Sequence, residues 1–243
     1  MASYDNQQAL VIGLGLSGVA AATLLRARGG RVLGVDTADT PALRETSARL
    51  AALGVEVRLG ASHAPEGRFD LAVLSPGVPA DLPLLAEVRA LGIPILGELE
   101  LGYRESLCLN VAITGTDGKT TTTRLIEAVL RNSHRKTVAA GNVGTPLCSV
   151  VDQTRDLDLL TLEVSSFQLE AIEYFRPTIA VVMNIAPDHL DRHGTMEAYV
   201  RAKGQIFRNQ QPFDWAVLQS GALERFRAAG VEIPGKLVAE DLP

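Results

Sequence analysis

Cysteine is scarce in this 243-residue sequence: only Cys108 and Cys148 occur, and their spacing suits no metal. Two such thiols exclude a disulfide-stapled scaffold or a thiolate zinc site. They read as small core residues of a protein kept in a reducing cytoplasm. No run of basic residues stands out and the formal net charge is -5, which argues against nucleic-acid and membrane-surface partners. Repeats and low-complexity segments are absent too. Ala9 to Leu25 carries no charge, but Gly13, Gly15, Ser17 and Gly18 interrupt it, and Asp5 rather than a basic cluster precedes it. A strand entering a glycine turn and a helix explains it better than a signal or membrane span. What remains is ordinary globular composition, 47% hydrophobic and 21% charged, enough for one large domain or two small ones.

The chain is organised around Gly115-Thr116-Asp117-Gly118-Lys119-Thr120-Thr121. An apolar run, Leu109 to Thr114, precedes it and reads as a buried strand. The residues from Thr122 to Leu130 follow with apolar positions at helical spacing. Strand, glycine turn, Lys-Thr and helix form a phosphate cradle. Glycines let backbone N–H groups converge on phosphate oxygens, and the helix N-terminus adds partial positive charge. A lysine neutralises the outer phosphates, and the hydroxyl after it can hold magnesium. A plain turn before a helix needs neither the lysine nor the hydroxyls.

Ahead of the cradle, Ala9 to Ile12, the turn Gly13-Leu14-Gly15-Leu16-Ser17-Gly18, a helix to about Arg28 and the strand Arg31 to Asp36 form a βαβ unit. Glycines at that spacing with an acid closing the second strand indicate a nucleotide-binding half-domain, with Asp36 near a ribose hydroxyl. The alternative is a turn that only packs helix on strand. Alternation continues through a helix from Pro41 to Leu53, strands Val55–Leu59 and Phe69–Leu74, a helix from Leu82 to Leu91 and a short strand Ile93–Leu96 whose proline favours an edge. The loop Ser75-Pro76-Gly77-Val78-Pro79 lies past a strand's carboxyl end, where parallel sheets bind ligands. His63 reads as a surface residue without a partner. The first domain is expected to end near Gly97, giving domains 1–97 and 98–243, with Glu98 to Glu105 a linking helix.

After the cradle come a strand Lys136–Ala140, a second glycine loop Gly141-Asn142-Val143-Gly144-Thr145-Pro146, and the strand Asp156–Val164, which carries Glu163 near its end. A carboxylate ending a buried strand is where a nucleotide's magnesium is held; the alternative is an exposed residue opening a helix at Ser165-Ser166. The core strand Ile179–Ile185 delivers Ala186-Pro187-Asp188-His189-Leu190-Asp191-Arg192-His193, a dense set of ionisable groups that reads as a site, with His193 read as a neighbour or as a member. The helix from Met196 carries Lys203, which by itself reads as a solvated lysine. Asp214–Gln219 is a last strand, and 230–243 holds one further short candidate.

These segments, with the glycine turn at 13–18, Ser75-Pro76-Gly77-Val78, Gly141-Asn142-Val143-Gly144, Glu163-Val164-Ser165-Ser166-Phe167-Gln168-Leu169-Glu170 and Asp188-His189-Leu190-Asp191-Arg192, are co-linear over nearly the whole chain. In that order the chain resembles the Mur ligases, the ATP-dependent amino-acid ligases of peptidoglycan synthesis; the Ser-Ser-Phe-Gln-Leu-Glu run points to the branch that adds D-glutamate. The resemblance implies an α/β fold: a small Rossmann-like parallel-sheet domain binding UDP, then a truncated P-loop-type ATPase domain, with the family's third domain absent. Leu16 and Ser17 would lie against the uridine diphosphate, Asp36 and Thr37 around the uracil, and Ser75 and Gly77 near the diphosphate. Gly115, Thr116, Asp117, Gly118, Lys119, Thr120, Thr121 and Thr122 would hold ATP. Thr120 and Glu163 would bind one magnesium ion, and His189 with a carbamylated Lys203 a second. Asn142, Ser165 and His189 would face the muramoyl-alanine part. Lys119, Glu163, His189 and Lys203 would carry catalysis.

The implied partners are UDP-N-acetylmuramoyl-L-alanine, ATP and D-glutamate, used by a cytoplasmic monomer with no nucleic-acid or membrane partner. The family cradle usually reads Thr-Asn-Gly-Lys, and Asp117 stands here in place of the asparagine, a carboxylate beside the phosphates. Because the family's D-glutamate site lies in its third domain, the 243 residues alone are expected to bind the sugar nucleotide without completing ligation. Competing readings are another Mur-type or folylpolyglutamate-type ligase, an NAD-dependent oxidoreductase, which leaves Lys119, Glu163 and His189 unexplained, and a non-catalytic nucleotide-binding protein.

Overall fold

The computed structural model describes residues 3–142 and 144–240. By internal contacts the chain divides into two units. The first runs to Glu105 and includes Pro146–Val151; the second takes Ser106–Thr145 and the residues from Asp152 onward. Among the described residues, no helix is long and apolar enough to cross a membrane.

The first unit alternates β1 (Gln8–Ile12), α1 (Leu16–Ala27), β2 (Arg31–Asp36), α2 (Pro41–Ala52), β3 (Glu56–Leu59), β4 (Leu71–Leu74), α3 (Pro83–Ala90), β5 (Ile95–Gly97) and α4 (Glu98–Glu105). Its strands are parallel in the order β3-β2-β1-β4-β5, so the proline-bearing β5 does take an edge. Apolar runs in β1 and β2 are buried on both faces, as a sheet covered by helices requires. Leu10, Ile12, Val35, Leu84 and Val88 belong to one core cluster. The order reverses between β1 and β4, which opens a crevice at the strands' carboxyl ends.

The glycines of the first turn have separate jobs. Gly13 has φ +85°, and a Cβ there would sit 2.6 Å from Val78 Cγ2. A Cβ on Gly18 would sit 1.8 Å from the Gly13 carbonyl oxygen, so α1 approaches β1 only because that atom is missing.

The helix α4 departs from expectation. Instead of opening the second unit it packs in the first, with Leu99 and Leu101 fully buried. Leu147 crosses it so closely that a Cβ on Gly102 would sit 2.6 Å from Leu147 Cγ. Glu98 Oε1 accepts the Cys148 N–H at 2.8 Å, and Glu105 pairs with Arg28 at 3.2 Å. The helix expected to link the two domains thus buries Glu98, Glu100 and Glu105 in the first unit. His63 also has a partner, Glu87, at 2.8 Å. Cys108 and Cys148 are free, and Cys148 is buried.

The second unit begins with β6 (Leu109–Thr114) and α5 (Lys119–Asn132), then β7 (Thr137–Gly141) and β8 (Leu159–Glu163). There follow α6 (Ser166–Leu169), β9 (Ile179–Val182), α7 (Leu190–His193), α8 (Met196–Gly204), β10 (Trp215–Gln219), α9 (Ser220–Ala228) and β11 (Lys236–Glu240). The sheet is parallel in the order β11-β10-β9-β6-β8-β7. The strand β6 therefore lies between β8 and β9, and the ends of all three meet where the cradle begins. Glu127, on the inner face of α5, accepts the Ala139 N–H at 3.0 Å and pairs with Arg131 at 2.8 Å, fastening helix to sheet.

Burial pushes the Glu98 carboxyl up to about 7, with the Cys148 N–H opposing. The folded state therefore holds a proton that the unfolded chain releases near 4.5. The stability this acid contributes is present below that pH and is lost as pH rises toward 7. In urea unfolding at several pH values, Glu98→Gln is expected to gain on the parent by up to about 3 kcal/mol between pH 4.5 and pH 8. A pH-independent difference between the two would refute this.

Candidate active site

The loop joining β6 to α5 is fixed by the segment that follows β9. Gly115 (φ +151°) and Gly118 (φ +78°) adopt backbone shapes that favour glycine. A Cβ on Gly115 would sit 3.0 Å from Met183 Cβ. Asn184 Oδ1 accepts the N–H groups of Thr116 (3.1 Å) and Asp117 (2.8 Å), and its Nδ2 donates to the Asp117 carbonyl at 3.2 Å. Thr116 Oγ1 accepts the Ala186 N–H at 2.9 Å and lies 3.1 Å from Tyr199 Oη. The Asp117 side chain is exposed. No side chain caps α5 at Gly118, so the helix dipole and first-turn N–H groups are available to an anion. Lys119 Nζ folds back to the Thr116 carbonyl at 2.6 Å, a partner that a phosphate oxygen can replace.

Glu163 ends β8 and is 2% exposed, which rules out the solvent-facing alternative. Its Oε2 accepts from Thr120 Oγ1 at 2.8 Å and its Oε1 from Asn142 Nδ2 at 3.0 Å. Three of the expected residues thus meet at one carboxylate. A hydroxyl and a carboxylate beside a phosphate loop are hard oxygen donors of the kind magnesium takes. Among the described residues, no group of three or more His, Cys, Asp or Glu is placed to hold a metal ion. An ion held through one carboxylate, water and phosphate oxygens needs no such group. Ser165 caps α6 instead: its Oγ accepts the Gln168 N–H at 3.3 Å while Gln168 Oε1 accepts the Ser165 N–H at 3.0 Å. Val143 of the second glycine loop lies outside the described residues.

Lys203 is only 2% exposed, which overturns its reading as a solvated lysine. It shares a face of α8 with Tyr199, one turn earlier. Its Nζ donates to the Gly115 carbonyl at 2.7 Å and lies 4.6 Å from the Tyr199 ring centroid. Burial pulls its ammonium down to about 7; the Lys119 charge acts the same way, and Asp188 opposes both. His189 (φ +51°) is half exposed, lies 3.3 Å from the Asp188 carboxylate and packs on Phe167 at 4.9 Å. No hydrogen bond joins His189 to Lys203 among the described residues.

In the first unit a cavity of about 260 Å³ lies at the reversal point, lined by Gly13, Gly15, Asp36, Thr37, Ser75 and Gly77 with an apolar wall that includes Val35 and Leu82. A Cβ on Gly15 or Gly77 would meet nothing within 4 Å, so both leave backbone open to a ligand. The Asp36 carboxylate accepts the N–H groups of Leu14 (2.8 Å) and Ala38 (3.0 Å), which fixes the turn. Leu16 and Ser17 begin α1 beside the cavity without lining it; Leu16 is 75% exposed. Asn184 and Tyr199 were missed from the sequence. The one visible signal for Tyr199 is its place four residues before Lys203; for Asn184 it is the end of an apolar strand.

Two family models match the chain: Mur ligase MurD-like, N-terminal domain, over residues 7–97, and Mur ligase middle domain over residues 113–230. A UDP-N-acetylmuramoylalanine–D-glutamate ligase of Koribacter versatilis is 46% identical over 217 residues, covering 88% of this chain and 48% of that protein. The ligase of the same description from Caldanaerobacter subterraneus is 40% identical, covering 97% of this chain and 54% of the relative. The chain thus spans about half the length of the curated relatives it matches. Among solved structures, the UDP-N-acetylmuramate:L-alanyl-gamma-D-glutamyl-meso-diaminopimelate ligase of Neisseria meningitides superposes with a TM-score of 0.61 at 20% identity, covering 95% of this chain and 77% of its own. The UDP-N-acetylmuramate-alanine ligase MurC of Thermotoga maritima gives 0.54 at 24% identity, covering 96% and 53%. Both share the fold.

Asn184 is expected to hold the loop as a double acceptor. In Asn184→Ala the Asp117 amide is expected to exchange roughly fivefold faster by NMR, since a lost hydrogen bond removes about 1 kcal/mol, whereas the Thr116 N–H keeps the Asn184 main-chain carbonyl at 3.0 Å. Asn184→Asp keeps the acceptor and should remain close to the parent; equal exchange in all three proteins would refute the role.

Proposed function

The chain belongs to the Mur ligase family, and from that premise we propose that it serves the ATP-dependent ligation of D-glutamate to UDP-N-acetylmuramoyl-L-alanine in peptidoglycan precursor synthesis. The observation that carries the reading is one cluster in the second unit. There Thr120 and Asn142 converge on the buried Glu163, and Lys203 is buried against the carbonyl of Gly115. Gly115 to Thr122 hold the ATP phosphates, with Lys119 on the outer ones. Thr120 and Glu163 serve one magnesium ion, and His189 with a carbamylated Lys203 serves a second. Asn142, Ser165 and His189 contact the muramoyl-alanine part. In the first unit, the open backbone at Gly15 and Gly77 with Ser75 takes the diphosphate, Asp36 and Thr37 the uracil, and Leu16 and Ser17 the cavity's mouth. Substrates of this kind suit a cytoplasmic monomer.

The chemistry has two steps. A carboxylate oxygen of the alanyl group attacks the γ-phosphorus of ATP; the bond to the β-bridging oxygen breaks, and ADP leaves an acyl phosphate. The amine of D-glutamate then adds to the carbonyl carbon, inorganic phosphate departs, and the amine loses a proton as the amide forms. Bound magnesium would supply charge neutralisation at the phosphates. The residues supply position: the Asn184-anchored loop fixes the phosphates, and Lys119 offsets charge on the leaving ADP. Lys203 suits carbamylation because burial favours its neutral amine, which adds to carbon dioxide, releases a proton and becomes an oxygen-donor anion.

Lys119→Ala is expected to weaken Mg·ATP binding at least tenfold in calorimetric titration, leaving UDP binding by the first unit unchanged. Parental Mg·ATP affinity in that variant would sink the reading. With ¹³C-labelled bicarbonate, a carbamate signal distinct from that of the α-amino group is expected, absent from Lys203→Arg. At fixed dissolved carbon dioxide it should grow as pH rises through 7, because deprotonation precedes addition. Survival of that signal in Lys203→Arg rejects the assignment.

A further inference from the structure

His193 ends α7 with its side chain 3% exposed, and none of the roles above uses it. Its Nε2 lies 3.0 Å from Ser166 Oγ and its Nδ1 lies 3.2 Å from Glu170 Oε1. A carboxylate only accepts, so Nδ1 carries the proton and Nε2 accepts from the Ser166 hydroxyl. Both ring nitrogens are therefore engaged, and the imidazole has no edge left to offer a ligand or a proton.

What the ring does offer is its faces. One stacks on Phe167 at 5.4 Å and 29°; the ring also meets Tyr199 at 5.2 Å and 56°. Phe167 in turn packs on His189 at 4.9 Å. Tyr199 lies beneath Lys203 Nζ at 4.6 Å and contacts Thr116 Oγ1 at 3.1 Å. Among the described residues, His193 is thus a ring between the aromatic that backs His189 and the aromatic that backs both Lys203 and the phosphate loop. Aromatic stacks of this kind are stiff, since each ring has only two rotatable side-chain bonds and close-packed neighbours.

We propose that His193 is a positioning residue that sets the distance between His189 and Lys203 and ties both to the phosphate loop. The inference rests on the reading that those two residues serve one metal ion. A spacer of this kind acts as outer-shell groups do around metal ligands, whose loss lowers metal affinity without touching the metal.

The test uses Mn²⁺ as a paramagnetic substitute for magnesium, with ADP, on the 243-residue chain. Water-proton relaxation reads protein-bound Mn²⁺; ADP binding in excess chelator and circular dichroism read the nucleotide site and the fold. His193→Ala is expected to weaken the second of two bound Mn²⁺ ions roughly tenfold while leaving the ion at Thr120 and Glu163 and metal-free ADP binding within about twofold. His193→Phe keeps the ring and is expected to stay near the parent, whereas His193→Gln keeps the polar contacts without the ring and should fall with alanine. The glutamine and phenylalanine variants decide the matter even if alanine does not fold. Parental affinity for the second Mn²⁺ ion in His193→Gln, a phenylalanine variant as weak as alanine, or equal loss of metal-free ADP binding would overturn the spacer role. If the parent itself binds no Mn²⁺·ADP, the nucleotide reading fails and this inference falls with it.

Discussion

An ammonium group enclosed by protein must find a strong acceptor or give up its proton. Lys203 does some of each. Its Nζ donates to the carbonyl of Gly115, the first residue of the phosphate loop, and burial pulls its proton affinity down to about 7. That carbonyl points the right way because Gly115 sits at φ +151°, a shape other residues rarely take, against Met183 and Asn184. Loop and lysine therefore fix each other. Moving the loop would strand a buried cation, and removing the lysine would leave a loop carbonyl without its donor. The nearby Lys119 charge raises the tension, since two cations share a site whose carboxylates, Glu163 and Asp188, answer to other partners. An incoming polyphosphate, or an added carboxylate on Lys203, resolves that imbalance.

On the proposed function, the two units would meet an anionic ligand with different materials. Both use a parallel sheet and the carboxyl ends of its strands, and both delete side chains with glycine where backbone must come close. The first unit brings no lysine to its cavity. Its acid, Asp36, is occupied with the N–H groups of Leu14 and Ala38, so the cavity would offer a ligand open backbone at Gly15 and Gly77 and the hydroxyls of Thr37 and Ser75. The second unit gathers cations and an oxygen cluster. Binding without chemistry needs only shape and neutral donors; phosphoryl transfer needs charge to be offset as it moves. The contrast in side chains fits the division of labour that the proposed function assigns.

The parts of this site legible in the sequence are those whose chemistry is local. Both glycine turns, Lys119 with Thr120, and Glu163 at a strand's end are each set by a few adjacent residues, and so were the strands that carry them. What escaped is held together through space. Asn184 is an ordinary polar residue until β9 is laid beside β6, and then it accepts two loop N–H groups. Lys203 looked solvated because its neighbours Arg201 and Ala202 dilute the pattern, yet Tyr199, Val200, Lys203 and Gly204 make one buried face at helical spacing. The helix α4, expected only as a linker, buries Glu98 and Glu105 against partners distant in sequence, Cys148 and Arg28, and Glu100 against Arg104 one turn on. Charged residues are read as exposed by default, and the default fails where partners come from far along the chain.

The same geometry bears on Asp117, the acid that replaces the family's usual asparagine. A carboxylate beside phosphates is unfavourable when its side chain helps build the cradle. Here the residue's structural work is done by its backbone: Asn184 accepts its N–H at 2.8 Å and donates to its carbonyl at 3.2 Å, while the side chain is exposed. Neither bond depends on which residue stands at 117. Water around an exposed carboxylate weakens its repulsion of a neighbouring phosphate several-fold relative to a buried one, and Lys119, two residues on, lies on the same loop. The amide that matters at this position comes from residue 184 instead, reaching in from the end of the neighbouring strand, and with it the loop keeps its shape whichever residue stands at 117.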